Sequence, residues 1–225
     1  MMKFVTNIDK EKYDEFITNH PQKSHFMQSY SWGEVCKSGK NLIPHYVGIE
    51  DNTNLIAATL LLEKKLPFGY SYFYAPRGYV IDFNNHDLLI KFTKELKKYA
   101  KEHKSIFIKI DPDVERHNID ENANKIDDGF DNYPLIVFLK SIGYNHLGFY
   151  KHFKGSQPRY TFRLDLDKAI EEIKANIHPT TRKILNHNNP YNLEIKIGNI
   201  DDIKDFYDLM KITANRDDFI SSSYD

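Results

Sequence analysis

The stretch that most restricts the fold is a pair of strand-like runs, H-Y-V-G-I-E and N-L-I-A-A-T-L-L-L-E, separated only by a polar turn at Asp51-Asn52-Thr53-Asn54. Short Asp and Asn side chains tolerate the left-handed backbone that a tight reversal needs, so this spacing predicts a β-hairpin. A hairpin in mid-chain is incompatible with a sheet built by strict strand–helix alternation. The expected class is therefore α+β, or mixed α/β with a partly antiparallel sheet.

The flanking segments fit that class. A short strand is expected over residues 3–8. A helix over 9–20 carries Tyr13, Phe16 and Ile17 on one stripe and stops at His20-Pro21. Ser31 is the expected N-cap of a second helix, W-G-E-V-C-K, closed by Gly39. After the hairpin come the strand Y-S-Y-F-Y-A-P and a turn at Arg77-Gly78. The clearest helix covers 87–103, with Leu88, Leu89, Phe92, Leu96 and Tyr99 on one face and Lys91, Lys94, Lys97, Lys98 and Lys101 on the rest. Those lysines read as a solvated face rather than a phosphate patch. A strand, S-I-F-I-K-I, an acidic loop over 115–131, a helix over 134–141 and a further strand over 148–166 follow. Gly155 and Pro158 mark a change of domain, giving expected domains over 1–155 and 156–225. The closing helix, with Ile203, Phe206, Tyr207 and Met210 at helical spacing, runs into Arg216-Asp217-Asp218-Phe219 and the sequence stops at Asp225. An amphipathic helix ordinarily leads on to more structure, so the second domain is expected to be incomplete.

Composition removes several classes of function. The formal net charge of −1 gives no global basic field for non-specific nucleic-acid binding. The single cysteine, Cys36, excludes an internal disulfide and reads as a packed side chain. The ten histidines show no ligand spacing, so no metal site is expected. The start, M-M-K-F-V-T-N-I-D-K, has no apolar signal core, and no run approaches a membrane span, so cytoplasmic residence is the expectation. Dinucleotide-binding, P-loop, nucleophile-elbow and zinc-protease motifs are absent.

Four segments recur in a recognisable order: Q-S-Y-S-W-G-E-V-C-K at 28–37, Y-F-Y-A-P-R-G-Y-V-I-D at 72–82 with F-I-K-I-D-P-D-V after it, Q-P-R-Y-T-F-R-L-D-L at 157–166 leading to T-T-R-K-I-L-N, and F-Y-D-L-M-K-I-T-A-N-R-D-D-F. Together the four segments resemble the FemABX family of peptidyltransferases, which add amino acids from aminoacyl-tRNA to the stem peptide of peptidoglycan precursors in Gram-positive bacteria. The resemblance implies a domain similar to GNAT-type acetyltransferases, with a mixed sheet flanked by helices and a groove for the precursor. The start of a second such domain would follow. It implies no cofactor, with aminoacyl-tRNA as donor and lipid II or UDP-MurNAc-pentapeptide as acceptor. Peripheral contact with the membrane surface would come through lipid II.

By the same resemblance Lys37 and Arg216 contact the diphosphate of the precursor, Tyr74 and Arg77 belong to the family's substrate-binding loop, and Asp111 in K-I-D-P-D matches the acidic position near the substrate and is the catalytic candidate, with Asp113 as the alternative. Lys174, Arg182 and Lys183, with His178 and His187, lie in a stretch without acids that matches a basic helix contacting the tRNA acceptor arm. Read as residues alone, Lys37 is an exposed lysine, Arg216 an ion pair with Asp217, Asp218 or Asp208, Asp111 a turn cap, and the basic helix a solvated one. Two departures stand out: Ser222 where the family often has arginine, and Tyr79 where it commonly has proline. Trp32 is expected to pack under its loop, and Gly78 to serve backbone geometry.

The implied reaction is attack by the stem-peptide amine on the ester carbonyl of aminoacyl-tRNA. The 225-residue chain alone is expected to have little activity, because family members usually run longer and their residues closest to the reacting carbonyl come late in the second domain. Two rivals remain: an acyl-CoA-dependent acetyltransferase, opposed by the missing pyrophosphate-binding loop, and a non-catalytic fragment that binds precursor.

Overall fold

The predicted hairpin forms from β2 (Ile43–Asp51) and β3 (Asn54–Lys65), with Asp51 opposite Asn54. The two turn residues, Asn52 and Thr53, are both left-handed, at φ 48° and 74°. Left-handed backbone at both positions gives a turn whose twist matches that of the strands. A computed structural model describes residues 1–21, 24–120, 122, 124–149, 157, 164, 166–186, 194, 196–221 and 224. Its chain divides into two compact units, Met1–Arg159 and Tyr160–Asp225.

In the first unit the hairpin is the middle of a five-stranded sheet of order β1-β2-β3-β4-β5. β1 (Lys3–Val5) runs antiparallel to the end of β2, and β4 (Ser71–Ala75) antiparallel to the end of β3. β5 (Ser105–Ile110) is parallel to β4, because the helix α3 (His86–Glu102) carries the chain back between them. The class is α+β with a mixed sheet flanked by helices.

Strand alternation sends side chains to two layers. On one face Val47, Ile49, Ala57, Leu61 and Phe73 pack with Leu88, Leu89, Phe92 and Leu96 of α3. Leu135, Phe138 and Leu139 of α4 (Tyr133–Ser141) close that layer. On the other face Tyr46, Ala58, Leu60 and Leu62 meet Tyr13 and Ile17 of α1 (Lys10–Asn19) and Cys36 of α2 (Tyr30–Lys40). Each fully buried Leu, Ile or Phe contributes roughly 1.5–3 kcal/mol, so the central β3 run anchors both layers. Cys36 is part of this packing, and burial pushes its thiol pKa up.

Two boundaries differ from the sequence expectation. The N-cap of α2 is Ser29, which is extended and accepts the Trp32 N–H at 3.1 Å, while Ser31 lies inside the helix. The helix also passes Gly39 and ends at left-handed Asn41, the other residue that tolerates this cap. Elsewhere Asp9 and Asn85 cap α1 and α3, their side chains accepting the Lys12 and Leu88 N–H groups. In residues 115–131, Asp131 takes ion pairs from Arg116 and Lys125.

The second unit contains α5 (Ile170–Asn176), α6 (Pro179–Asn186) and α7 (Ile203–Asp217). The expected single basic helix is two helices, because Pro179 cannot continue α5 and instead opens α6. In α7, Ile203, Phe206, Tyr207 and Met210 line an open groove of about 380 Å³ together with Phe219 and Ile220. Phe206 is 64% exposed, so among the described residues this stripe is not the covered face that its spacing predicts. The strand expected over 148–166 falls largely outside the described residues, as do His187 and Ser222. No helix among the described residues is long and apolar enough to cross a membrane.

Candidate functional site

Where β4 ends, the chain separates from β3 and leaves a gap that a side chain fills. Gln28, fully buried at the end of a short 3-10 turn (Phe26–Gln28), donates from Nε2 to the Pro76 carbonyl at 2.7 Å. Its Oε1 accepts the Leu60 N–H at 2.9 Å and the Thr59 hydroxyl at 3.1 Å. The amide thus bonds β3 on one side and the 76–78 loop on the other, in place of a strand. A Cβ on Gly78 would lie 2.8 Å from Gln28 Nε2 and 2.9 Å from Thr59 Oγ1, so the loop approaches this amide closely enough to require glycine.

That loop faces Asp111, which follows the last residue of β5. The Asp111 carboxylate accepts the Arg77 backbone N–H at 2.7 Å on Oδ1 and the Tyr74 hydroxyl at 2.9 Å on Oδ2. Strand pairing explains the meeting, since Tyr74 sits opposite Lys109 and Ala75 opposite Ile110. Burial pushes the Asp111 pKa up, against the opposing effects of these two hydrogen bonds and the positive charge of Arg77. The Arg77 guanidinium lies 3.9 Å from Asp113, and Lys109 Nζ stands 5.4 Å from the centre of the Tyr74 ring. Gln157 Nε2 reaches the Tyr74 hydroxyl at 3.5 Å. Chemically this is a half-buried carboxylate with an elevated proton affinity, held at the mouth of a left-handed turn (Arg77 φ 53°) with cations beside it.

The structure thus brings together Tyr74, Arg77 and Asp111. Asp111 does cap a turn, but the turn is the Arg77 loop across the sheet rather than its own. Lys37 occupies the last turn of α2, 64% exposed and 3.7 Å from Glu34, where a cation also suits the helix dipole. Trp32 on the same helix is half-buried, edge-on to Phe26, with Lys40 over its ring. Arg216 belongs to the second unit, where Nε and Nη2 grip both oxygens of Asp217 at 2.8 and 2.9 Å. Of the acids considered for it, Asp217 is therefore the partner. In the second unit Lys174 is exposed on α5, while Arg182 and Lys183 lie on α6.

Gln28 is the residue that sequence reasoning missed. It opens the first of the recurring segments, but its role depends on a gap between strands that no local spacing reveals. Tyr79 is also explained: its ring is buried against Phe92, and its hydroxyl pairs with that of Tyr144 at 3.2 Å. On the other face of the sheet, His45, Glu63 and His103 converge near the C-terminal end of β3, although the sequence shows no ligand spacing.

Comparison with known proteins gives a consistent result. The chain is 29% identical over 221 residues to a Lipid II:glycine glycyltransferase of Staphylococcus epidermidis, covering 96% of this chain and 49% of that protein. With the Lipid II:glycine glycyltransferase of Staphylococcus haemolyticus the identity is 30% over 221 residues, covering 96% and 48%. With Aminoacyltransferase FemA of Staphylococcus aureus it is 35% over 179 residues, covering 78% and 42%. A crystal structure of FemX superposes with a TM-score of 0.79 at 26% identity, covering 99% of this chain and 52% of that one. The chain therefore spans about half the length of the relatives it matches. A model of the FemAB family matches residues 8–225, and with the fold shared with FemX this makes the chain a member of the FemAB family.

Proposed function

We propose that this chain is part of an aminoacyltransferase of peptidoglycan cross-bridge synthesis. It would carry an amino acid from aminoacyl-tRNA to the stem-peptide amine of lipid II or UDP-MurNAc-pentapeptide. The observation that carries this reading is the family match across residues 8–225, with relatives named for glycine transfer to lipid II. The half-buried Asp111 in its Tyr74–Arg77 cradle supports it as a place for acid–base work.

The attacking amine has an ordinary pKa near about 10.4 and must shed its proton to form the amide. A carboxylate with raised proton affinity accepts that proton better than an ordinary one, and Asp111 takes that role. Arg77 and Tyr74 bind the precursor beside it. Lys37 and Arg216 contact the diphosphate, Lys37 as a flexible point charge and Arg216 as a bidentate fork. Arg216 must first exchange Asp217 for phosphate, a small cost for an exposed pair. Lys174, Arg182 and Lys183 meet the tRNA acceptor arm. The first unit is GNAT-like in this reading, no cofactor is used, and the tRNA donor puts the reaction in the cytoplasm, with membrane contact only through lipid II. Because the relatives are about twice as long, the 225 residues alone hold precursor but transfer little.

The test is calorimetric titration of the chain with UDP-linked muramyl pentapeptide and, separately, with coenzyme A. The reading expects binding of the first and none of the second. Binding of coenzyme A without binding of the pentapeptide overturns it in favour of an acetyltransferase.

A further inference from the structure

His45, Glu63 and His103 come from β2, β3 and the residue that caps α3, yet their ligand atoms all lie within 4.8 Å of one another. The hairpin register makes the first two diagonal neighbours on one face, since His45 pairs with Leu61 and Glu63 with Ile43. His45 Nε2 lies 3.2 Å from Glu63 Oε2, and His103 Nδ1 lies 3.8 Å from Glu63 Oε1. The main chain of His103 is fixed at both ends: its N–H bonds the Tyr99 carbonyl at 3.2 Å, and its own carbonyl accepts the Ser71 hydroxyl at 3.1 Å.

We propose that His45, Glu63 and His103 form a three-ligand site for a divalent cation of the zinc class, tying the end of α3 to the β2–β3 hairpin. Two imidazoles and a carboxylate are the ligand types such ions select. Bonds of about 2.0–2.1 Å in a tetrahedral site put ligand atoms roughly 3.3 Å apart, so the present separations need only side-chain adjustment. His103 is the most exposed of the three and leaves a fourth position for water.

The surroundings suit the ion. The Glu63 side chain is 1% exposed, and a buried carboxylate demands cationic company. Lys65 supplies it at 2.7 Å, but its own side chain is 59% exposed and free to swing away from Oε1. His45 Nδ1 lies 2.8 Å from the Tyr99 hydroxyl, which can accept its proton and so turn the Nε2 lone pair toward the ion.

The test uses the whole chain, stripped with chelator and titrated with zinc chloride by calorimetry, alongside thermal unfolding. The expected result is uptake of one zinc per chain and a higher unfolding midpoint. Both are lost in His103→Ala, whose circular dichroism stays that of the wild type because the bonds to Tyr99 and Ser71 are made by the main chain and not by the imidazole. Glu63→Gln loses binding as well, whereas Lys65→Ala binds at least as tightly, since a competitor is removed. No uptake by the wild type, or unchanged uptake by folded His103→Ala, overturns the proposal, and so does loss of binding in Lys65→Ala.

Discussion

The Asp111 carboxylate accepts the backbone N–H of Arg77 at 2.7 Å, so the end of β5 holds the turn that follows β4. The same carboxylate takes the Tyr74 hydroxyl, which joins loop geometry and proton affinity in one side chain. Asp111→Ala leaves the Arg77 N–H and the Tyr74 hydroxyl without this acceptor. A loss of about 1–3 kcal/mol is expected in urea unfolding. Asp111→Asn, which keeps an acceptor for Arg77, should lose less.

The pH response of Asp111 has a definite sign. Its folded pKa lies above the unfolded value, so the unfolded chain gives up this proton first as pH rises from about 3.8. The stability it contributes is therefore full at lower pH and falls until the folded carboxyl has ionised, then stays level. Chemical denaturation of wild type and Asp111→Asn across that window should show the wild type losing ground to the variant. A stability difference independent of pH would mean that Asp111 has no raised pKa.

Gln28 makes a separate prediction. Gln28→Ala removes the acceptor of the Leu60 N–H and the donor to Pro76, both buried. A loss on the order of 3 kcal/mol is expected from the unfolding midpoint, because more than one buried group is left unpaired. The 76–78 loop should also become more protease-sensitive, while a surface loop such as 51–54 stays as it was.

Two glycines of α2 should respond in opposite directions. A Cβ at Gly33 would overlap the Tyr46 hydroxyl and sit 2.9 Å from its ring carbon. Tyr46 cannot retreat: it stacks on Tyr30 at 4.0 Å and bonds the Tyr30 carbonyl at 2.9 Å. Gly33→Ala is expected to cost about 1–3 kcal/mol by overpacking. Gly39 has nothing within 4 Å, so Gly39→Ala should gain roughly 0.5–1 kcal/mol of helix stability. Thermal unfolding of the pair separates packing from propensity.

What the sequence makes legible here is local. The Asp-Asn-Thr-Asn turn, the 3.6-residue stripe of α3 and the alternating strands announce themselves within a few residues of each other, because turn chemistry and periodicity are short-range. The cap of α2 shows the limit: Ser29 and Ser31 are equally good caps, and backbone geometry selects the first. The Gln28 bridge, the Asp111–Arg77 contact and the His45–Glu63–His103 cluster join residues 18 to 58 positions apart, and only the tertiary fold, sheet register together with helix docking, brings them together. Motif resemblance reached Asp111, Tyr74 and Arg77 but gave no partner for any of them.

The most direct test of the account is the affinity of UDP-linked muramyl pentapeptide for the wild type and for Lys37→Ala. Lys37 is 64% exposed with only a 3.7 Å contact to Glu34, so its removal leaves the fold intact and isolates its charge. If Lys37 meets the diphosphate, the dissociation constant should rise about tenfold, equivalent to ~1.4 kcal/mol, with the difference shrinking as salt is raised. Equal affinity in the two proteins, or no binding by either, would contradict the claim that this chain carries the precursor site.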